Sequence, residues 1–252
     1  METHQSRRCV KLTLLAAVYL SGSLASANTI IATGLDATRG ENIWIQEDGT
    51  ATQGLAGVIF ITVNVGALAY NRDSLCVDLF TPIQANVTYN TTILYPYDVY
   101  GKHLDRVSWL VDNALLPTQD NTYTSTLPSV DWVRTAAQGA GIQLAIWDIV
   151  HDNGDGFAAG RVQAATGATH TTDASVLAWA NTYEALSLAK SSTLAFVYQN
   201  VTIGTGGPAQ MLAGPRFSDS GPVPTPEPAT LFIAGTALIA LSLLSRKRIR
   251  NR

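Results

Sequence analysis

Residues 129–150 read SVDWVRTAAQGAGIQLAIWDIV. The stretch follows Pro117 and a polar loop, and it reads as a helix that starts at Ser129, a good N-cap, and runs to about Val150. Gly139 and Gly141 fall inside it, so the helix is either kinked there or begins only near Ala140. Asp152-Asn153-Gly154-Asp155-Gly156 stops it as a loop. On such a helix Ala136, Ala140, Gln143, Trp147 and Val150 share one face. Gln143 is then a primary amide on an apolar stripe, and a buried amide without hydrogen-bond partners costs about 1–3 kcal/mol. Something has to meet it there.

Two further helices flank this one. His103–Leu115 places Leu104, Val107, Leu110, Val111 and Ala114 at helical spacing. Asp173–Lys190 is Ala-rich and carries Trp179 and Tyr183. Residues 28–100 are instead rich in Thr, Val, Ile, Tyr and Gly. Strands are expected at Ile43–Gln46, Val58–Val65, Leu75–Phe80 and Gln84–Tyr89. A final strand, Thr193–Gln199, precedes a Gly- and Pro-rich stretch, Gly204–Pro228, that reads as an extended spacer. No internal repeat is visible. The expected class is α+β, a β-rich sandwich or barrel-like part packed against a small helical part.

Both ends carry targeting features. Arg7, Arg8 and Lys11 precede the apolar run Leu12–Leu20 and the small residues Ala25-Ser26-Ala27, which together define a secretory signal peptide cleaved after Ala27. At the other end Ala229–Leu244 is apolar and uncharged, and Arg246-Lys247-Arg248, Arg250 and Arg252 follow it. That is the pattern of a short membrane span with a cytoplasmic basic cluster. Pro226-Glu227-Pro228 stands just before the run. The motif, the run and the basic end resemble the PEP-CTERM sorting signal. The resemblance implies processing by an exosortase, with the tail removed near the motif and the product released to the cell surface or extracellular space. The expected organisation is a signal peptide at 1–27 and an extracellular domain at 28–203. A linker at 204–225 and a sorting signal with its transmembrane helix and basic tail at 226–252 complete it.

Without these ends, residues 28–226 hold 8 Lys and Arg against 17 Asp and Glu, a net charge near −9. So acidic a surface argues against nucleic acid as a partner. Cys9 leaves with the signal, and Cys76 remains as a single cysteine in an exported protein. Asn86, Asn90 and Asn200 begin Asn-x-Thr triplets, read as chance composition of Thr-rich strands.

Leu75-Cys76-Val77 on a strand and Ile142-Gln143-Leu144-Ala145-Ile146-Trp147 on a helix resemble the paired signatures of the thioester domains of bacterial surface adhesins. The resemblance spans Leu75 to about Asp155. It implies that the Cys76 thiolate attacks the Gln143 side-chain carbonyl, expels ammonia and leaves an internal thioester. An amine or hydroxyl on a partner would then take the acyl group, giving one covalent attachment per molecule. From the residues alone, a lone Cys is also a small buried hydrophobe, and a helical Gln also pairs with neighbouring backbone.

Other features carry less. His151 could act as a base near Gln143, but reads better as a helix C-terminal residue favoured by the dipole. Asp152, Asn153 and Asp155 could offer oxygens to calcium, yet EF-hand spacing is absent and a glycine-stabilised turn fits better. Trp44, Trp109, Trp132, Trp147 and Trp179 could stack on sugars, though most are expected in the core. No catalytic triad, metal pattern or phosphate loop stands out, so neither enzymatic activity nor a cofactor or metal is expected. The functional expectation is an exported surface or matrix protein that attaches covalently to an amine- or hydroxyl-bearing partner. Its alternative is a non-covalent component of the exopolysaccharide matrix. A glycan-active enzyme would need a pair of catalytic carboxylates, and none can be picked out.

Overall fold

Asp48 and Gly49 both adopt positive φ, 48° and 80°, the backbone of a two-residue turn that Asp-Gly favours because its twist matches paired strands. The turn folds β1 (Thr29–Glu47) onto β2 (Thr50–Val65) along their full length, from Thr29↔Asn64 to Glu47↔Thr50. The computed structural model describes residues 28–79, 81–96, 103–115, 126–202 and 207–216. Ala27, the signal segment, Pro226, Glu227, Pro228 and the apolar run with its basic end lie outside these residues. The described residues fall in one compact unit, Ala27–Val223.

The remaining elements are β3 (Leu68–Cys76), β4 (Thr88–Leu94), α1 (Leu104–Ala114), α2 (Ala136–Asp152), β5 (Val162–Ala164), α3 (Ala174–Ser187), β6 (Phe196–Thr202) and β7 (Leu212–Gly214). The strands pair in the order β2-β3-β7-β6-β4-β1-β5, and β1 also pairs with β2. Six antiparallel strands therefore close into a ring, with β5 added at the Ile45–Glu47 end of β1. Register shifts between Ala32 and Gly34 and between Leu35 and Gly40 bend β1, which lets its first half meet β4 and its second half meet β5. The expected α+β class holds, in its barrel-like form.

Alternating residues of the ring feed one core, which includes Ile30, Ile45, Ile61, Val63, Tyr89 and Tyr198. A second core holds Leu75, Val77 and Val197 against the helices, with Val107, Leu110 and Val111 of α1 and Tyr183 of α3. Helix α2 serves both. Ala140, Leu144 and Trp147 enter the first core, and Ile142, Ala145, Ile146 and Ile149 enter the second. Every residue from Gln138 to Val150 is buried, as befits a helix apolar on all sides.

Helix α2 begins at Ala136, not at Ser129 and not near Ala140. Thr135 caps it: the Gln138 N–H donates to Thr135 Oγ1, and the Thr135 N–H donates back to Gln138 Oε1. This capping box satisfies amide groups that Ser129 leaves alone, and Ser129–Asp131 is a separate 3-10 turn. The two glycines are there for contact. A Cβ on Gly139 would stand 1.8 Å from the Arg39 carbonyl oxygen, and one on Gly141 would stand 2.6 Å from Trp179 Cβ. The first turns of α2 are thus pressed between the bend of β1 and helix α3. Arg39, 8% exposed, fixes that bend by donating to Asp36 and to Asp73 of β3, each at 2.6 Å.

Other boundaries move. The strand expected at Leu75–Phe80 ends at Cys76, and the one expected at Gln84–Tyr89 lies at Thr88–Leu94. The last expected strand shifts to Phe196–Thr202. The stretch 204–225, expected as a linker after a domain ending at 203, supplies β7 in mid-sheet between β3 and β6. Its Leu212 and Ala213 are buried, and pairing with β3 and β6 makes a strand of this part of a Gly- and Pro-rich segment. Of the five tryptophans only Trp147 is fully buried.

Two consequences are measurable. Gly139→Ala should lower stability by about 3 kcal/mol despite the better helix propensity of alanine, because the new methyl meets rigid backbone. A denaturation midpoint equal to or above that of the parent would refute the contact. Burial pushes the Asp112 carboxyl of α1 up to about 7 against the hydrogen bonds from Ser192 and Ser108. The folded state then holds this proton more tightly than the unfolded chain. Its contribution is complete below about pH 4 and lost as pH rises through about 7. Asp112→Asn should therefore reduce the loss of stability between about pH 4 and 8 in urea titrations. Asp148 shares the sign, so the loss shrinks without vanishing.

Candidate functional site

β2 and β3 part company at Ile59↔Ser74, the last pair of their register. β2 turns away toward its contacts with β1, where Ala56 pairs with Glu41 and Gly57 with Gly40. Cys76, two residues further along β3, still pairs with Leu212 of β7 on its other flank. Its own amide and carbonyl need partners, since buried backbone groups are almost always satisfied. Gln143 provides both. The Cys76 N–H donates to Gln143 Oε1 at 2.8 Å, and Gln143 Nε2 donates to the Cys76 carbonyl at 2.6 Å. The primary amide stands where the next strand's peptide would have stood.

The structure thus brings Cys76 and Gln143 together across a sequence separation of 67. Gln143 is fully buried. It lies at the seam of the two cores, because Leu144 and Trp147 point to one and Ile142 and Ile146 to the other. The side chains of β3 alternate in the same way. Leu75 and Val77 belong to the helical core, and Cys76 belongs to the ring core.

Cys76 also lines a cavity of about 550 Å³, with Ile59, Leu79, Ile83 and Trp147 as apolar wall and Gln210 and Glu47 as polar members. Cys76 is 5% exposed. Burial, and secondarily the charge of Asp78, push it well above its ordinary range, so it is held as the neutral thiol. Trp147 Nε1 is buried with no hydrogen-bond acceptor among the described residues. Burial and the charge of Asp48, against Arg161, raise the Glu47 carboxyl.

His151 does not join the pair. Its Nε2 accepts the Leu79 N–H at 3.4 Å, which ties the chain after β3 to the last turn of α2. Asn153 caps that helix in the left-handed conformation. Asn200, one of the three Asn-x-Thr residues, is 1% exposed and donates to the Gln210 carbonyl, so it serves the fold. Sequence reasoning stopped at the loop acids Asp152 and Asp155. It passed over Asp148, a lone charge between Trp147 and Ile149 in an apolar run and itself completely buried.

Residues 224–248 match the PEP-CTERM protein-sorting motif. The chain is an exported protein, sorted by exosortase to the cell surface. No curated protein and no solved structure matches it. Among the described residues no helix is long and apolar enough to cross a membrane.

The hydrogen-bonded pair can be weighed directly. Gln143→Leu orphans a buried N–H and a buried C=O, each worth about 1–3 kcal/mol, whereas Cys76→Ala keeps both backbone groups. Gln143→Leu should therefore unfold at lower denaturant by a margin of about 3 kcal/mol over Cys76→Ala. Both variants abolish any bond between the two side chains, so the difference isolates the backbone contacts. Equal midpoints would show that the contacts contribute nothing.

Proposed function

We propose that this exported surface protein attaches covalently to a partner through an internal thioester between Cys76 and Gln143. One observation carries the reading: the Gln143 carboxamide is docked on Cys76 itself, while the Cys76 side chain faces a cavity. In the formation step the thiol adds to the carboxamide carbon, the carbon–nitrogen bond breaks, and ammonia leaves with the thiol proton. Docking supplies much of the needed proximity. The Cys76 N–H already points at the oxygen where negative charge would develop. Trp147, a residue of the cavity wall, carries an indole N–H with no acceptor among the described residues. In the attachment step a partner's amine or hydroxyl enters the cavity and attacks the thioester. It becomes an amide or ester of the Gln143 side chain, and its proton returns to Cys76. Each molecule attaches once, without turnover.

A second reading rests on the same contact. Gln143 is already fully engaged with backbone, and burial keeps the thiol neutral. On this reading the amide is a pin between α2 and β3, and the protein is a non-covalent component of the surface polysaccharide matrix. If the bond forms, closing the loop between the two residues adds roughly 4 kcal/mol in the chain-entropy picture.

Intact mass of the exported protein separates the readings. Thioester formation removes one ammonia, about 17 Da, and methylamine treatment yields an adduct at Gln143 with a free Cys76 thiol. An unmodified mass with Cys76 titrating as a thiol in denaturant would leave only the non-covalent reading.

A further inference from the structure

Helix α2 ends by bringing acids together. Carboxylate oxygens of Asp148, Asp152 and Asp155 lie within 4.8 Å of one another. Asp148, one turn before Asp152, is completely buried. Its Oδ2 accepts the Gly156 N–H at 3.2 Å, and its Oδ1 is buried with no donor among the described residues. A buried carboxylate oxygen without a partner loses its hydration for nothing in return. Two features show that the surroundings are built around these groups. Asp152 Oδ2 accepts the N–H groups of Arg161 and Val162 at 2.8 and 2.6 Å, closing residues 152–162 into a loop over the helix end. A Cβ on Gly160 would stand 2.8 Å from Asp152 Oδ2 and 3.1 Å from Asp155 Oδ1.

A fourth carboxyl comes from α3. Glu184 interacts with Asp148, and burial followed by the charges of Glu184, Asp155 and Asp152 pushes the Asp148 carboxyl up to about 7, against the Gly156 hydrogen bond. Two guanidinium groups stand near the acids, the charge of Arg106 acting on Glu184 and that of Arg161 on Asp152. Arg106 donates to the carbonyls of Asn153 and Glu184 and to Ser187 Oγ, and the Arg161 guanidinium holds Asp48. Four acids thus stand against two guanidinium groups, an excess of negative charge at the helix end.

We propose that Asp148 Oδ1, Asp152 and Asp155 hold a divalent cation of the calcium class, with Glu184 adding negative charge behind Asp148. Calcium takes six to eight oxygens at about 2.4 Å, so ligands on opposite sides stand about 4.8 Å apart. Oxygens that all lie within 4.8 Å of one another can share one such ion. Magnesium demands a near-ideal octahedron and usually keeps several waters, so a set supplied mostly by protein carboxylates favours calcium. The cation would join the end of α2, the 152–162 loop that leads into β5, and α3. The site is separate from Cys76 and Gln143, so its test does not depend on the thioester.

The experiment is calorimetric titration of the exported protein with CaCl2 and, separately, MgCl2, beside thermal unfolding with calcium or EDTA. Calcium should bind in the range of extracellular modules, Kd of about 0.1–1 mM, and raise the unfolding midpoint; magnesium should bind at least about tenfold more weakly. Asp155 is exposed, so Asp155→Asn should fold normally and weaken calcium about tenfold or more. Asp148→Asn should abolish binding. No heat and no midpoint shift at about 10 mM calcium would overturn the proposal in favour of a proton shared between Asp148 and Glu184. Undiminished binding by Asp155→Asn would overturn the assignment of the site, and equal affinity for magnesium would overturn the calcium class.

Discussion

A helix buried on every side has to be accommodated by everything around it, and α2 sets that constraint. It cannot offer one face to water, so two cores form, one inside the strand ring and one under α1 and α3. Its glycines let it approach β1 and α3 closely enough for both cores to close. Its single amide in the buried middle then has one place to go, the backbone of β3 just past the point where β2 leaves. Helix, ring and Cys76 peptide are fixed by one another. The hydrogen bonds between Gln143 and Cys76 are where that mutual fixing is most local.

The same arrangement explains why one geometry supports a covalent and a non-covalent reading. A primary amide standing in for a strand peptide is held as tightly as a strand would be. That is a good structural pin. It also keeps the carboxamide beside the residue that carries the thiol, with a backbone donor on its oxygen. The neutral, buried thiol is the feature that a bond-forming step has to overcome, and the cavity beside it is the route by which a small nucleophile would arrive.

Much of this was legible in the residues. Gln143 on an apolar helix demanded a hydrogen-bonding partner, and the single retained cysteine marked where to look. Helix α1 lay within a residue of its expected limits because its apolar spacing is a local signal, and α3 within three residues because Asp173 caps its start. The strands were less legible. β1 runs for 19 residues through polar, glycine-containing sequence that only its pairing on both flanks explains. β7 has three residues in a stretch whose composition reads as spacer, and only its neighbours make it a strand. The start of α2 was misplaced because Ser129 is a good cap in isolation, while the reciprocal pair Thr135 and Gln138 sits closer to the buried run. Asp148 escaped notice because its partners, Asp155 and Glu184, come from a loop and another helix.

The position of β7 bears on timing. An exported chain that emerges amino end first presents β1, β2 and β3 early, but Cys76 lacks its flanking strand until Leu212 has come through. That residue precedes the sorting motif by only a dozen positions. The ring therefore closes last, at the edge of the segment that exosortase reads. Until then the cavity beside Cys76 has no finished wall, and the amide of Gln143 has no completed sheet to lean on.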